Sequence, residues 1–310
     1  MLAKELRILN FDDSITKQGG LLEAYPHRIL DLRESGPAVR CWMDKSGRSI
    51  IADRICGSEK SAVTFLGSGD FHHISEVLIS QFIDPLSVFV FDAHPDWDIL
   101  PPRFGCGSWV SEVLKKKNVL KLVLLGVSSG DISSLSIHFG NLGALSGDRL
   151  EIYPSEHPPT RVFFRGVPEN ASLEVERVFF SRRIRWSELS KTGLADFFQG
   201  LLQRLPVKQA YISLDKDCLQ GGFALTNWEE GKLPLEELLL LLGLIRDNLE
   251  IVGFDITGDY SPALTAGAIR KFASRLDHPR RVRALDCPES EVSSINEGTN
   301  RRILELLFKQ

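Results

Sequence analysis

The chain has 310 residues, 43% hydrophobic and 25% charged, with 41 acidic against 37 basic side chains for a net charge of −4. That length suits one large α/β domain or two smaller ones, and the balance is that of an ordinary globular protein without the basic surplus that marks a nucleic-acid or anionic-membrane partner. The longest apolar run, Leu238 to Ile245, is far short of a bilayer span, and five scattered cysteines without a CxxC pair argue against a disulfide framework or a zinc knuckle and for a reducing cytoplasm.

The N-terminal MLAKELRILNFDDS lacks the apolar core of a secretion signal, so a cytoplasmic location is expected. Within residues 1–60, RILNFD reads as a strand, and AVRCW and RSIIAD are expected to pair as a hairpin. Short apolar runs then alternate with helical patterns. Strands are expected at AVTFLG (62–67), SVFVFD (87–92), KLVLLGV (121–127), AYISLD (210–215) and EIVGFD (250–255). Helices are expected at 72–82, 108–117, 186–204, 234–248, 263–276 and 290–308. Strands that are apolar on both faces and separated by helices predict a mostly parallel sheet covered on both sides. The turn-rich stretch 150–182, with YPSEHPPT and VPEN, reads as an insertion. No linker stands out. The expected organisation is a single α/β domain over 1–310, with an N-terminal extension over 1–60 and the insertion near 150–182.

Three of the predicted strands run directly into acidic or histidine-bearing segments: GSGDFHH (67–73), DAHPDWD (92–98) and SLDKDCL (213–219). Ligands of an open parallel sheet bind beyond the carboxyl ends of its strands. Asp70, His72, His73, Asp92, His94, Asp96, Asp215 and Asp217 are therefore candidates for one rim. Asp92 with His94, and Asp215 with Asp217, are two residues apart, so each pair projects to one side of its strand. A single DxH or DxD is common at strand ends; three such segments after three apolar strands are not. Buried acids in that number need cations, and two divalent ions sharing carboxylates balance them better than one. Oxygen-rich ligation with some imidazole suits manganese better than a thiolate-seeking zinc.

These three segments resemble, in order, the GGDH, DAHxD and SxDxD motifs of the ureohydrolase family (arginase, agmatinase, formiminoglutamase), over roughly residues 60 to 265. The second and third match closely; the first carries an extra Phe71. The resemblance implies an arginase/deacetylase-like three-layer α/β/α fold and two Mn2+ per chain bridged by hydroxide. It implies one ion on His72, Asp92, Asp96 and Asp215, and the other on Asp92, His94, Asp215 and Asp217, with His73 the rival of His72. It further implies hydrolysis of a non-peptide C–N bond in a small guanidino, amidino or amide compound, with Asp96 passing a proton from nucleophile to leaving amine. Similar proteins form paired or ring-like homo-oligomers.

The chain also departs from the pattern. Cys106 stands where arginases carry a proton-shuttling histidine, and reads as a packed thiol beside Trp109. Lys216, between the paired aspartates, is expected to point away from the metals toward another acid. In GFDITGDYSP (253–262), either Gly258 or Asp259 takes the place of the glutamate that holds the guanidinium. Asp259 would offer a shorter carboxylate to a cationic substrate. Asp98 reads as solvated or capping and Arg103 as a surface residue, while His27, His138, His157 and His278 have no companions. Three other readings compete. A single-zinc deacetylase-like hydrolase leaves Asp217 with little to do. A metallophosphoesterase lacks its GDxxD and GNH segments. A metal-binding relative without turnover is motivated by Cys106 and Gly258.

Overall fold

The computed structural model describes residues 3–57, 62–267, 270–272, 278 and 283–309. In chain order the strands are β1 (Ala3–Asn10), β2 (His27–Asp31), β3 (Trp42–Met43), β4 (Ala62–Gly67), β5 (Leu86–Phe91), β6 (Phe104–Gly105), β7 (Val119–Val127), β8 (Leu150–Pro154), β9 (Thr160–Phe163), β10 (Leu173–Val178), β11 (Ser181–Trp186), β12 (Gln209–Asp215) and β13 (Glu250–Thr257). Eight of them form one sheet in the order β2-β1-β4-β13-β12-β5-β7-β8. Every pairing in it is parallel.

The apolar strand sequences explain the layering. On β5, Val88 and Val90 enter one buried cluster while Phe89 and Phe91 enter another on the opposite face. The first face is covered by helices Lys45–Ile55, Ile74–Ile79 and Trp109–Val113, whose buried residues include Ile51, Val77 and Val110. The second is covered by Leu194–Leu202, Leu235–Asn248 and Glu289–Phe308, contributing Leu201, Leu242 and Ile303. The result is a three-layer α/β/α arrangement, the covering that a parallel sheet requires. Among the described residues no helix is long and apolar enough to cross a membrane.

The five strands expected from the apolar runs all form. RILNFD lies largely in β1, which joins the central sheet beside β4. The hairpin of AVRCW with RSIIAD does not form. RSIIAD sits inside helix Lys45–Ile55, which Asp44 caps by accepting from the Gly47 amide at 2.7 Å. Ile51 and Ile55 fall four residues apart and are both buried, a helical spacing that the β-branched run concealed. Trp42 instead pairs antiparallel with Gly105. The expected helix at 186–204 shortens to Leu194–Leu202, because Trp186 closes β11. β9, β10 and β11 make a separate antiparallel sheet. The expected helix at 263–276 falls partly outside the described residues, and 263–267 are irregular.

Register sets the functional rim. Leu214 pairs with Phe91, and Phe91 with Leu125, so Asp215 and Asp92 emerge side by side from β12 and β5. On the other flank, Asp215 pairs with Thr257, and Thr257 with Gly67, which brings the GSGDFHH segment to the same edge.

Candidate metal centre

After β4, Ser68 caps a short 3-10 turn, Gly69–Phe71. The turn absorbs the extra Phe71, which is buried and stacks on Phe11 at 4.7 Å. It sends Asp70 away from the cluster. Asp70 instead meets Arg40 at 2.5 Å, His278 at 2.7 Å and the Trp228 indole at 3.0 Å. Burial alone would raise its pKa, but Arg40 and His278 prevail and hold it at about 2.

His72 follows the turn and faces the acids. Its Nδ1 lies 3.0 Å from Asp92 Oδ2, 3.5 Å from Asp96 Oδ2 and 3.6 Å from Asp215 Oδ2. Its Nε2 lies 2.9 Å from Ser213 Oγ, which donates onward to Asp255 at 2.8 Å. Ser213 has one proton and gives it to Asp255, so it accepts from His72 Nε2–H. In the neutral ring this leaves the Nδ1 lone pair turned toward the carboxylates. His73 points elsewhere, with Nδ1 3.8 Å from the Cys106 sulfur. The structure brings His72, not His73, to the acids.

The loop after β5 holds the next ligand candidates. The His94 amide donates to Asp92 Oδ1 at 2.7 Å, and His94 Nδ1 lies 2.9 Å from Asp217 Oδ2. Asp96 adopts a left-handed backbone, φ +48°, and accepts from the Trp109 indole at 2.7 Å. The paired aspartates of β12 are tied to the same frame: Asp217 donates its amide to Asp215 Oδ1 at 3.0 Å and accepts from the Ala93 amide at 3.1 Å. Apart from Cys41, Asp70 and His278, two groups have ligand atoms mutually within 4.8 Å: His72, Asp92 and Asp96, and Asp92, His94 and Asp217. Asp92 belongs to both. His72 Nδ1 and Asp92 Oδ2 are buried without a hydrogen-bond partner.

No lysine or arginine of the described residues pairs with these acids, and their titration shows the strain. Burial and the neighbouring Asp92 push Asp96 up to about 7. Burial and Asp217 raise Asp215, and burial and Asp92 raise Asp217. Asp92 is the exception: burial opposes its charge, but the imidazoles of His72 and His94 beside it hold it low. His72 and His94 are raised in turn, the carboxylates outweighing burial. This donor set of carboxylates and two imidazoles, short of positive charge and with two orphaned buried atoms, fits divalent cations.

The cluster forms the floor of a cavity of about 680 Å³, lined also by Trp42, Trp228, Asp98 and Cys106. Burial raises the Cys106 thiol well above its usual range, and its sulfur contacts the Asp70 carbonyl at 3.2 Å. Asp98 is lifted to about 6 by burial and by Asp131. Arg103 is exposed and does not line the cavity.

Asp259 does not line this cavity, contrary to the expectation of a carboxylate offered there to a cationic substrate. Gly258, at φ +90°, packs so closely on the cluster that a Cβ would fall 2.4 Å from Asp215 Oδ1. The chain must then turn Asp259 the other way. It lies buried, 2.9 Å from Lys216 Nζ and 2.6 Å from Gln18 Nε2. Lys216 points away from the cluster toward another acid, as strand alternation predicts, and that acid is the buried Asp259.

Sequence reasoning missed the Ser75–Ser213–Asp255–Tyr211 network behind His72, in which Tyr211 donates to Asp255 at 2.6 Å. The available signal was Ser213, two residues before Asp215 and so on its face of the strand. His278, assigned no companion, in fact packs at a tilt against Trp228, ring centroids 4.8 Å apart, and bonds Asp70.

No protein-family model matches the chain. A Thermotoga maritima protein described only as uncharacterized is 29% identical over 201 residues, 64% of this chain and 59% of that protein's length. Solved structures are similar over nearly the whole chain. Arginase from Bacillus subtilis has a TM-score of 0.58 at 12% identity, covering 100% of this chain and 99% of its own. Formimidoylglutamase from Bacillus subtilis gives 0.57 at 14% identity, covering 99% and 88%. Proclavaminate amidinohydrolase from Streptomyces clavuligerus gives 0.56 at 13% identity, covering 99% and 92%. The chain has the arginase-like fold, the fold of the ureohydrolase family.

Proposed function

We propose that this chain is a divergent ureohydrolase, a hydrolase of a non-peptide C–N bond in a small guanidino, amidino or amide compound that works with two Mn2+ ions. The observation that carries the reading is the pair of ligand groups sharing Asp92, with His72 Nδ1 and Asp92 Oδ2 buried and unpartnered between them. We assign His72, Asp92, Asp96 and Asp215 to one ion and Asp92, His94, Asp215 and Asp217 to the other. When bound, the ions supply a water whose pKa is low enough for it to act as a nucleophile near neutrality.

The chain's own residues do the rest. Ser213 and Asp255 fix the His72 ring by holding Nε2–H. Trp109 holds Asp96 Oδ2, so that the carboxylate can take a proton at the floor of the cavity and return it to the departing amine. Water adds across the C–N bond, and the amine leaves with the returned proton. Asp259, engaged by Lys216 and Gln18, receives no role on the substrate. Five cysteines outside any disulfide accord with a reducing, cytoplasmic setting, and we expect a homo-oligomer.

Metal analysis after manganese loading tests the assignment. Two ions per chain are expected, and fewer than one would sink the binuclear reading. A single bound zinc would favour the deacetylase-like alternative. Turnover is sought with arginine, agmatine, guanidinobutyrate and formiminoglutamate.

A further inference from the structure

The turn-rich insertion contributes to the separate sheet β10-β11-β9, and that sheet is locally basic in a chain of net charge −4: residues 160–186 hold six arginines and three glutamates. The sheet is anchored from within, since Val162, Leu173, Ile184 and Trp186 belong to the same buried cluster as Val88. One end of it has the opposite character. Val178 pairs with Ser181, which leaves Phe179 and Phe180 as the two-residue turn of a hairpin, 97% and 86% exposed. Ser181 also pairs with Phe163, so Phe163 and the 91% exposed Phe164 end at the same edge, their rings 6.4 Å apart.

Packing does not account for these rings, because they stand in solvent. Phe164 (φ +56°) and Phe179 (φ +48°) also occupy the left-handed backbone region, which glycine or asparagine fills at least cost in a hairpin turn. Directly behind the turn, Arg177 stands opposite Arg182, and Arg183 stands opposite Arg161. Like charges in register oppose sheet formation. Arg183 reaches Glu176 at 3.5 Å, whereas Arg161, Arg177 and Arg182 enter no ion pair among the described residues. An apolar tip backed by uncompensated cations is complementary to a surface that is apolar inside and anionic outside. The spacing agrees: Arg177 lies two residues before Phe179, roughly 7 Å along the strand, and interfacial elements sink by about 5–10 Å.

We propose that the Phe179–Phe180 turn, with Phe163 and Phe164 beside it, inserts into the headgroup boundary of an anionic bilayer while Arg177 and Arg182 meet its phosphates. None of these side chains lines the metal-centre cavity, so the proposal stands apart from the function assigned there. The acidic balance of the whole chain conceals the patch, because it averages over a local surplus. A second copy seated on this face by a two-fold axis would set arginines against arginines. A single-stranded nucleic acid would need its stacking rings on a groove or sheet face. Here the rings stand at the turn, and the strands behind them pair Glu174 with Arg185 and Glu176 with Arg183.

Cosedimentation of the full chain with lipid vesicles tests the proposal, comparing phosphatidylcholine alone with equal parts phosphatidylcholine and phosphatidylglycerol. The mixed vesicles should be bound at least about tenfold more tightly, and added salt should release the chain. Phe179→Ala combined with Phe180→Ala should weaken that binding by at least about tenfold, as should Arg177→Gln combined with Arg182→Gln. Phe179→Gly separates docking from folding: urea stability should not fall, since glycine suits the backbone there, while vesicle binding should. No binding to the mixed vesicles overturns the proposal, as does equal binding to both compositions or binding that the alanine pair leaves intact. A loss of urea stability in Phe179→Gly would assign the ring to the fold and count against it. A smaller mass for the alanine pair in lipid-free sedimentation equilibrium would overturn it in favour of a second copy. Retention of a single-stranded oligonucleotide without vesicle binding would overturn it in favour of nucleic acid.

Discussion

Asp70 and Asp215 lie at the same rim of the central sheet, both almost wholly out of water, and the protein treats them in opposite ways. Asp70 is closed: a buried guanidinium, an imidazole and an indole hold it, and its carboxyl is kept at about 2. Asp215 is open: burial and Asp217 raise it, and the His72 imidazole 3.6 Å away is shared with other acids. The difference separates carboxylates whose charge the fold compensates itself from carboxylates that no lysine or arginine of the described residues pairs with, the set proposed to hold the ions. Asp259 with Lys216 and Glu76 with Arg48 are further closed carboxylates; Asp92, Asp96 and Asp217 belong to the open set.

The largest effect should come from the acid common to both ligand groups. Asp92→Ala should abolish binding of both ions, measured as manganese per chain after loading, and with it any turnover. If the variant keeps full metal, the shared-ligand assignment is wrong and the open set needs another explanation.

Next come variants that break the two classes in opposite directions. Arg40→Ala leaves Asp70 buried without its guanidinium and should destabilise the fold by about 3–5 kcal/mol in urea unfolding. Asp215→Asn in the metal-free protein removes a strained charge and should stabilise by on the order of 1 kcal/mol, while lowering manganese binding. Equal destabilisation by both would erase the distinction between closed and open carboxylates.

Much of the open set was legible in the sequence, because it follows from strand alternation. Asp92 with His94 and Asp215 with Asp217 each lie two apart at the end of an apolar run, and parallel register brings the runs together. The closed set was not legible, because its pairings are distant in the chain and local pattern is silent on them. Arg40 reaches Asp70 across 30 positions, and Asp259 meets Gln18 across 241. Asp259 illustrates the failure best. A motif comparison placed a carboxylate near Gly258 or Asp259, but a crowded backbone at Gly258 decides which way the next side chain turns. The missed helix at Lys45–Ile55 has a similar origin, since its β-branched Ile50 and Ile51 read as strand until the Asp44 cap is seen.

The Lys216–Asp259 pair offers a smaller test of closure. Lys216→Met alone should cost about 3 kcal/mol, because Asp259 would stay buried with only neutral donors. Combining Lys216→Met with Asp259→Leu should restore most of that loss in a double-mutant cycle. An additive cycle would mean that the two side chains do not depend on each other.

Glu76 gives the smallest expected effect and the cleanest pH signature, because it stands apart from the candidate ligands. Its carboxylate is 2% exposed and joins Arg48 at 2.8 Å to Lys116 at 2.6 Å. Burial pushes its pKa up, but the hydrogen bond from Arg48 and the charge of Lys116 prevail, so the folded value lies below the unfolded one. The folded state therefore binds this proton less readily than the unfolded chain does. The resulting stability is fully present above the unfolded glutamate value, near pH 4.3, and is lost as pH falls through the lower folded value. Glu76→Gln should flatten the decline of urea stability in that acid window and leave its slope above pH 6 unchanged. An unchanged acid slope would show that Arg48 and Lys116 merely lie near Glu76, and that its closure contributes nothing to the fold.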